Sequence, residues 1–137
     1  MKKAIVLAGG IAQVALIEEL KSRGYRTLLA DMNPNCVAAK YCDEFYPVSA
    51  MDVEGITALA KDQHVDMVLT ACADQIIVAE VEVCEALGLK TYLDSETVKL
   101  VSDKHYMKDV FIKNGIPTSR YVVLDHIDEE KIAELSK

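Results

Sequence analysis

Apolar residues in this chain come in short unbroken runs, and the stretches between the runs repeat with helical period. The runs KAIVLA, RTLLAD, EFYPVS and VDMVLTA predict four strands, and LKTYL a short fifth. The first intervening helix is expected over roughly Ile11 to Arg23. Ala12, Leu16, Ile17 and Leu20 share one of its faces, and Glu18, Glu19, Lys21 and Ser22 lie opposite. A second is expected over about Asp52 to Asp62, with Ile56, Leu59 and Ala60 inward, and a third over about Asp74 to Leu87, stopped by Gly88. Strands that are apolar throughout and alternate with helices specify a parallel sheet covered on both faces. Right-handed crossovers then give an α/β, Rossmann-like doubly wound sheet of four to five strands in the order 3-2-1-4.

The last third follows another pattern. In SDKHYMKDVFIKNGIPTSRYVVL, Ser102 or Asp103 is placed to cap a helix whose apolar stripe is Tyr106, Met107, Val110 and Phe111. Gly115 stops it, and Pro117 prevents a restart. RYVVL reads as a strand and DHIDEEKIAELSK as the start of a helix. One strand and one helix do not make a core, so the expected organisation is a domain over residues 1–102 followed by residues 103–137, which begin a second domain.

The chain has 137 residues, 51% hydrophobic and 27% charged, which suffices for a core and argues against disorder. Its net charge of −7 repels phosphate backbones, which excludes a nucleic-acid-binding reading. No apolar run reaches the roughly 20 residues that span a bilayer. MKKAIVLAGG imitates a signal peptide, but the amphipathic acidic helix that follows and the lack of a cleavage site argue otherwise. Cys36, Cys42, Cys72 and Cys84 have no metal-type spacing and read as the reduced thiols of a cytoplasmic protein.

Candidate chemistry concentrates where strands end. The dinucleotide fingerprint needs glycines at three positions, and here Ala8, Gly10 and Gln13 occupy them. Asp31 ends the second strand, where a ribose-binding acid would stand, but the turn DMNPN also accounts for it by Asx geometry. Gln13 lies on the apolar side of the first helix near the carboxyl ends of the strands, the edge at which open α/β sheets bind ligands. The other reading is a buried amide satisfied by backbone. Asp74 either caps the third helix or faces the same crevice. Glu80 falls among Ile76, Ile77 and Cys84 and is expected to swing out to water. Val78 and Val81 leave apolar surface on the outer side of that helix, which suggests cover by a missing domain or by a second copy of the chain. His64, His105 and His126 have no nucleophile at catalytic spacing.

GGIAQVALIEELKSRGYRTLLADMNPNCVAAKYCDEFYPVS, VDMVLTACADQ and above all LVSDKHYMKDVFIKNGIPTSRYVV together resemble the N-terminal domain that precedes the ATP-grasp fold. ATP-grasp ligases include biotin carboxylase, the large subunit of carbamoyl-phosphate synthase and several purine ligases. The resemblance covers essentially the whole chain and implies an ATP-dependent carboxylate ligase acting through an acyl phosphate, most like carbamoyl-phosphate synthase. It implies that Lys104 reaches the nucleotide phosphates, with ATP and Mg as cofactors of the full-length protein. It implies that Gly9, Gly10, Ile11 and Ala73 or Asp74 contribute to the site of a small carboxylate or amine substrate. Some relatives carry an acid where Ile11 stands. The glycine-rich lid, a second phosphate-binding lysine and the magnesium ligands of the family have no counterpart before Lys137, so this chain is expected to be inactive alone.

Two other readings stand beside it. A self-contained NAD- or nucleotide-binding module would use Gly9, Gly10 and Asp31, and a dimerising scaffold would use Val78 and Val81. A response-regulator receiver is excluded, because AGG replaces the acidic pair after the first strand.

Overall fold

The computed structural model describes residues 1–135. Its contacts divide the chain into two compact units, Met1–Ser102 and Asp103–Lys137. No helix among the described residues is long and apolar enough to cross a membrane.

The first unit opens with β1 (Lys3–Leu7), α1 (Ile11–Ser22) and β2 (Arg26–Ala30). A single 3-10 turn (Val37–Lys40), β3 (Glu44–Tyr46), α2 (Val53–Gln63), β4 (Met67–Leu69) and α3 (Asp74–Leu87) follow, and α4 (Ser95–Ser102) closes it. The four strands are all parallel in the order β3-β2-β1-β4. Ile5 lies opposite both Leu28 and Val68 in the central register.

The continuous apolar runs have a direct cause. Alternate residues of β1 face opposite sides, and both sides are covered. Ile5 and Leu7 join Leu28 and Ala30 beneath Ile56 and Ala60 of α2 and Val83 and Cys84 of α3. Ala4 and Val6 join Leu29 beneath Val14, Ile17 and Leu20 of α1 and Ala38 of the 3-10 turn. A strand with two buried faces cannot alternate with polar residues.

The structure departs from the sequence pattern at two places in this unit. LKTYL forms no fifth strand; residues 89–94 are irregular, with a bend at Tyr92 and Leu93, and lead into α4. Asp94 caps that helix, its Oδ1 accepting from the Thr97 amide at 2.7 Å and its Oδ2 from the Thr97 hydroxyl at 3.0 Å. α4 packs on α3, where Val98 and Val81 are both fully buried. The apolar strip attributed to Val78 and Val81 is therefore no free surface at Val81: a helix of the same chain supplies the cover.

In the second unit α5 (Lys104–Lys113) is capped by Asp103, whose carboxylate accepts from the His105 amide at 2.8 Å. Gly115, at φ +67°, turns the chain out of it. RYVVL forms no strand among the described residues, and the unit holds no other strand to receive it. Lys108 instead fastens the segment to α5, its Nζ donating to Thr118 Oγ1 at 3.2 Å and to the Ser119 carbonyl at 3.0 Å. The Tyr121 hydroxyl donates to Asp109. Of the C-terminal helix, α6 (Glu129–Glu134) is present with Asp128 as its cap. Ser136 and Lys137, which the sequence reading included, lie outside the described residues.

Val98→Ala is expected to lower the stability of the first unit by on the order of 2 kcal/mol. Urea unfolding checks this; an unchanged midpoint would mean that α4 contributes nothing to the core.

Candidate functional site

β1 and β4 are neighbours in the sheet, so the loops that leave their carboxyl ends are neighbours too. Both loops pass through left-handed residues that are not glycine: Ala8 at φ +69° after β1 and Cys72 at φ +55° after β4. Non-glycine residues in this region cost about 1 kcal/mol or more, and the surroundings must hold them there.

The surroundings here are a set of polar groups with named partners. Thr70 follows β4 and is buried. Its Oγ1 donates to the Leu7 carbonyl at 3.0 Å, and its amide donates to Glu80 Oε2 at 2.7 Å. Gln13, 4% exposed, donates from Nε2 to the Ala71 carbonyl at 2.7 Å and to Thr70 Oγ1 at 3.4 Å. Four segments thus meet at Thr70: the end of β1, the first turn of α1, the loop after β4 and the second turn of α3.

On the other side of β1, Asp31 clamps the glycine turn. Its Oδ2 accepts from the Gly9 amide at 2.7 Å and its Oδ1 from the Asn33 amide at 2.7 Å. Gly9 is buried where no side chain fits: a Cβ there would stand 2.1 Å from Cys36 Sγ and 2.6 Å from Cys36 Cβ. Gly10 and Ile11 are exposed and begin α1, which has no side-chain cap and no acid in its first turn. That arrangement leaves main-chain N–H groups at the positive end of the helix, where a carboxylate or phosphate is favoured. Asp74 is exposed as the first residue of α3, one position inside the N-cap Ala73. The two helix starts therefore offer opposite chemistry, amide donors at α1 and a carboxylate at α3.

Of the predicted residues, Gly9, Gly10, Ile11, Gln13, Asp31 and Asp74 all lie at this carboxyl edge. Gln13 is a buried amide satisfied by backbone, as one of the two sequence readings has it. Asp31 Oδ1 accepts from the Asn33 amide two residues on, as a turn former does, while Oδ2 accepts from the Gly9 amide 22 residues earlier. Lys104 belongs to the second unit, as the first residue of α5. It lines a shallow groove of about 330 Å³ with His105, Lys108, Tyr121, Val122, Val123 and Leu124. All three histidines are exposed, and no group of histidine, cysteine and carboxylate side chains among the described residues could hold a metal.

Glu80 is the residue that local reasoning misplaces. It does not swing to water; it is 1% exposed. Burial pushes its carboxyl up from 4.5 to about 7, and the Thr70 N–H partly offsets that rise. Neighbouring Cys84 is pushed up to about 11 by burial and then by the Glu80 charge.

No family model matches the chain. Among curated proteins it is 26% identical over 129 residues to phosphoribosylamine–glycine ligase of Xylella fastidiosa strain Temecula1, covering 92% of this chain and 30% of that protein. It is 30% identical over 119 residues to 3-methyl-D-ornithine–L-lysine ligase of Methanosarcina barkeri, covering 85% of this chain and 32% of that protein. The chain thus spans about a third of the length of these relatives. The phosphoribosylglycinamide synthetase structure from Anaerococcus prevotii superposes with a TM-score of 0.74 at 24% identity, covering 97% of this chain and 34% of that one. The biotin carboxylase domain of Hydrogenobacter thermophilus 2-oxoglutarate carboxylase, solved with MgADP and bicarbonate, superposes with a TM-score of 0.72 at 20% identity, covering 98% and 32%.

Two outcomes follow from this geometry. Between its ordinary value and about 7, Glu80 binds its proton more tightly in the folded chain than in the unfolded one. Stability should therefore fall as pH rises through that window, by up to about 1.4 kcal/mol per unit, and level off above it. Glu80→Gln should flatten the slope; urea unfolding between about pH 5 and pH 8 reads it, and a wild-type curve that rises there contradicts it. Gly9→Ala should cost about 1–3 kcal/mol by overpacking. Adding Cys36→Gly should return part of that loss in the same measurement.

Proposed function

We propose that this chain is an N-terminal domain of the ATP-grasp ligase superfamily and forms the substrate-side wall of an ATP-dependent carboxylate ligase. Residues 1–102 are the domain that precedes the ATP-grasp fold, and residues 103–137 are the junction helix and the beginning of the ATP-grasp domain itself. The observation that carries the reading is the breadth of the similarity. It runs over most of the chain and reaches relatives whose names join different pairs of amine and amino acid.

In the proposed reaction a carboxylate oxygen of the substrate attacks the γ-phosphorus of ATP and ADP departs, leaving an acyl phosphate. The nitrogen of an amine then attacks the acyl carbon, phosphate leaves, and the nitrogen gives up a proton. This is the acyl-phosphate chemistry of the biotin carboxylase and carbamoyl-phosphate synthase type. ATP with Mg²⁺ supplies the phosphoryl group and the charge that neutralises it. Support for this nucleotide comes from a structural relative solved with MgADP.

The chain's own contribution is positioning. The free amides at Gly10 and Ile11 suit the carboxylate of a small substrate, and Asp74 suits an ammonium or amine. Gln13 and Asp31 hold the loops that carry them. Lys104 is a flexible point charge suited to nucleotide phosphates. The reading places the protein in the cytoplasm, where ATP is supplied, and takes its partners to be small molecules and an ATP-grasp domain. Self-association through the outer face of α3 finds no support at Val81, which is buried within the chain.

The gene product that carries this chain is expected to release ADP and phosphate from MgATP only when both its carboxylate and its amine substrate are added. Lys104→Ala should raise its KM for ATP about tenfold or more. Residues 1–137 alone should hydrolyse no ATP and bind it no tighter than about 1 mM. Calorimetry that finds tight, Mg²⁺-dependent ATP binding by residues 1–137 overturns the reading.

A further inference from the structure

We propose that Glu80 is a proton-operated positioning residue, whose gain or loss of a proton sets how firmly the loop between β4 and α3 is held. Thr70 follows β4 at the sheet edge. Its hydroxyl donates to Leu7 O and accepts from Gln13, and its amide needs an acceptor of its own. Ten residues later, α3 turns Glu80 back toward it and supplies the acceptor at 2.7 Å.

The next residues depend on that bond. The Ala71 carbonyl is held by Gln13, and Cys72 is held in a left-handed conformation that it does not favour. Ala73 and Asp74 then start α3. A charged acceptor holds the Thr70 amide roughly twice as strongly as a neutral one. With Glu80 ionised the loop is tightly held; with Glu80 protonated the same amide has a weaker partner, and the strained turn at Cys72 has less to restrain it.

Few other charges bear on the switch. On α3, Cys84 feels the Glu80 charge, and in the segment between α3 and α4 so does Tyr92. The ionisable groups of the elements packed on α3 are Glu54, Lys61 and Asp62 of α2 and Glu96 and Lys99 of α4; β4 has none. The remaining ones on α3 itself are Asp74, Glu82 and Glu85. None of these contributes to the Glu80 shift, which has burial and the Thr70 amide as its two causes.

The inference concerns the loop that the ligase reading assigns to the substrate wall, but the coupling between Glu80 and Thr70 stands without that reading. Its test reads the coupling alone. In ¹³C,¹⁵N-labelled residues 1–137, the amide signals of Thr70, Ala71, Cys72 and Ala73 are followed with the Glu80 carboxyl carbon from about pH 5.5 to pH 8.5. All should move with one shared midpoint near 7. Glu80→Gln, which still accepts from Thr70, should keep the loop signals close to those of the protonated wild type at every pH. Glu80→Met, which cannot accept, should displace the Thr70 amide and broaden the loop throughout. Loop amides that stay fixed while Glu80 titrates, or that titrate equally in Glu80→Gln, overturn the proposal. Should either variant fail to fold, the coincidence of midpoints in the wild type decides alone: a shared midpoint supports the coupling, and separate ones refute it.

Discussion

A strand buried on both faces must satisfy its last backbone groups without water, and this requirement shapes the whole carboxyl edge of the sheet. β1 has a neighbour on each side and a helix layer above and below. Where its ladder ends, the Leu7 carbonyl and the Gly9 amide would be orphans in a dry place, at a cost of one to three kilocalories each, roughly. Thr70 and Asp31 meet those needs. β4 creates the same need at the Thr70 amide, and Glu80 meets it. The polar residues at this edge are present first because a two-layered sheet cannot end cleanly.

That origin bears on how the site works. A loop whose backbone is tied down by buried side chains presents its exposed amides and its one carboxylate in fixed directions, which is what positioning a small substrate requires. The ligase reading assigns Gly10, Ile11 and Asp74 to the substrate and leaves Gln13, Asp31 and Glu80 to hold them. In that reading the buried Gln13 and Glu80 and the half-buried Asp31 support the exposed residues.

The sheet and its order were legible because each strand is apolar on two faces and each of the first three helices carries its stripe over three turns or so. α4 was not, since only Val98 of its eight residues is buried and one position shows no period. Its cap, Asp94 with Thr97, was the available signal. RYVVL has strand propensity, but propensity does not supply a partner. Glu80 misled for a different reason. A glutamate among apolar neighbours on a helix usually extends to solvent, and nothing nearby in sequence announces that a main-chain amide ten residues upstream is waiting for it. Gln13 and Asp31 could be placed at the edge by topology, while their partners, Ala71 and Gly9, came only from the fold.

The seal that α4 places on α3 has a practical consequence for dissecting this protein. The alternating pattern of strands and helices suggests that the sheet-bearing part is complete at Gly88, where the last of its three regular helices ends. A polypeptide cut there would open Val81 to water along the outer side of α3. It would be expected to stick to itself or to other chains, and that adhesiveness would be an artefact of the boundary rather than a property of the molecule. The smallest piece that keeps its apolar residues inside extends through Ser102.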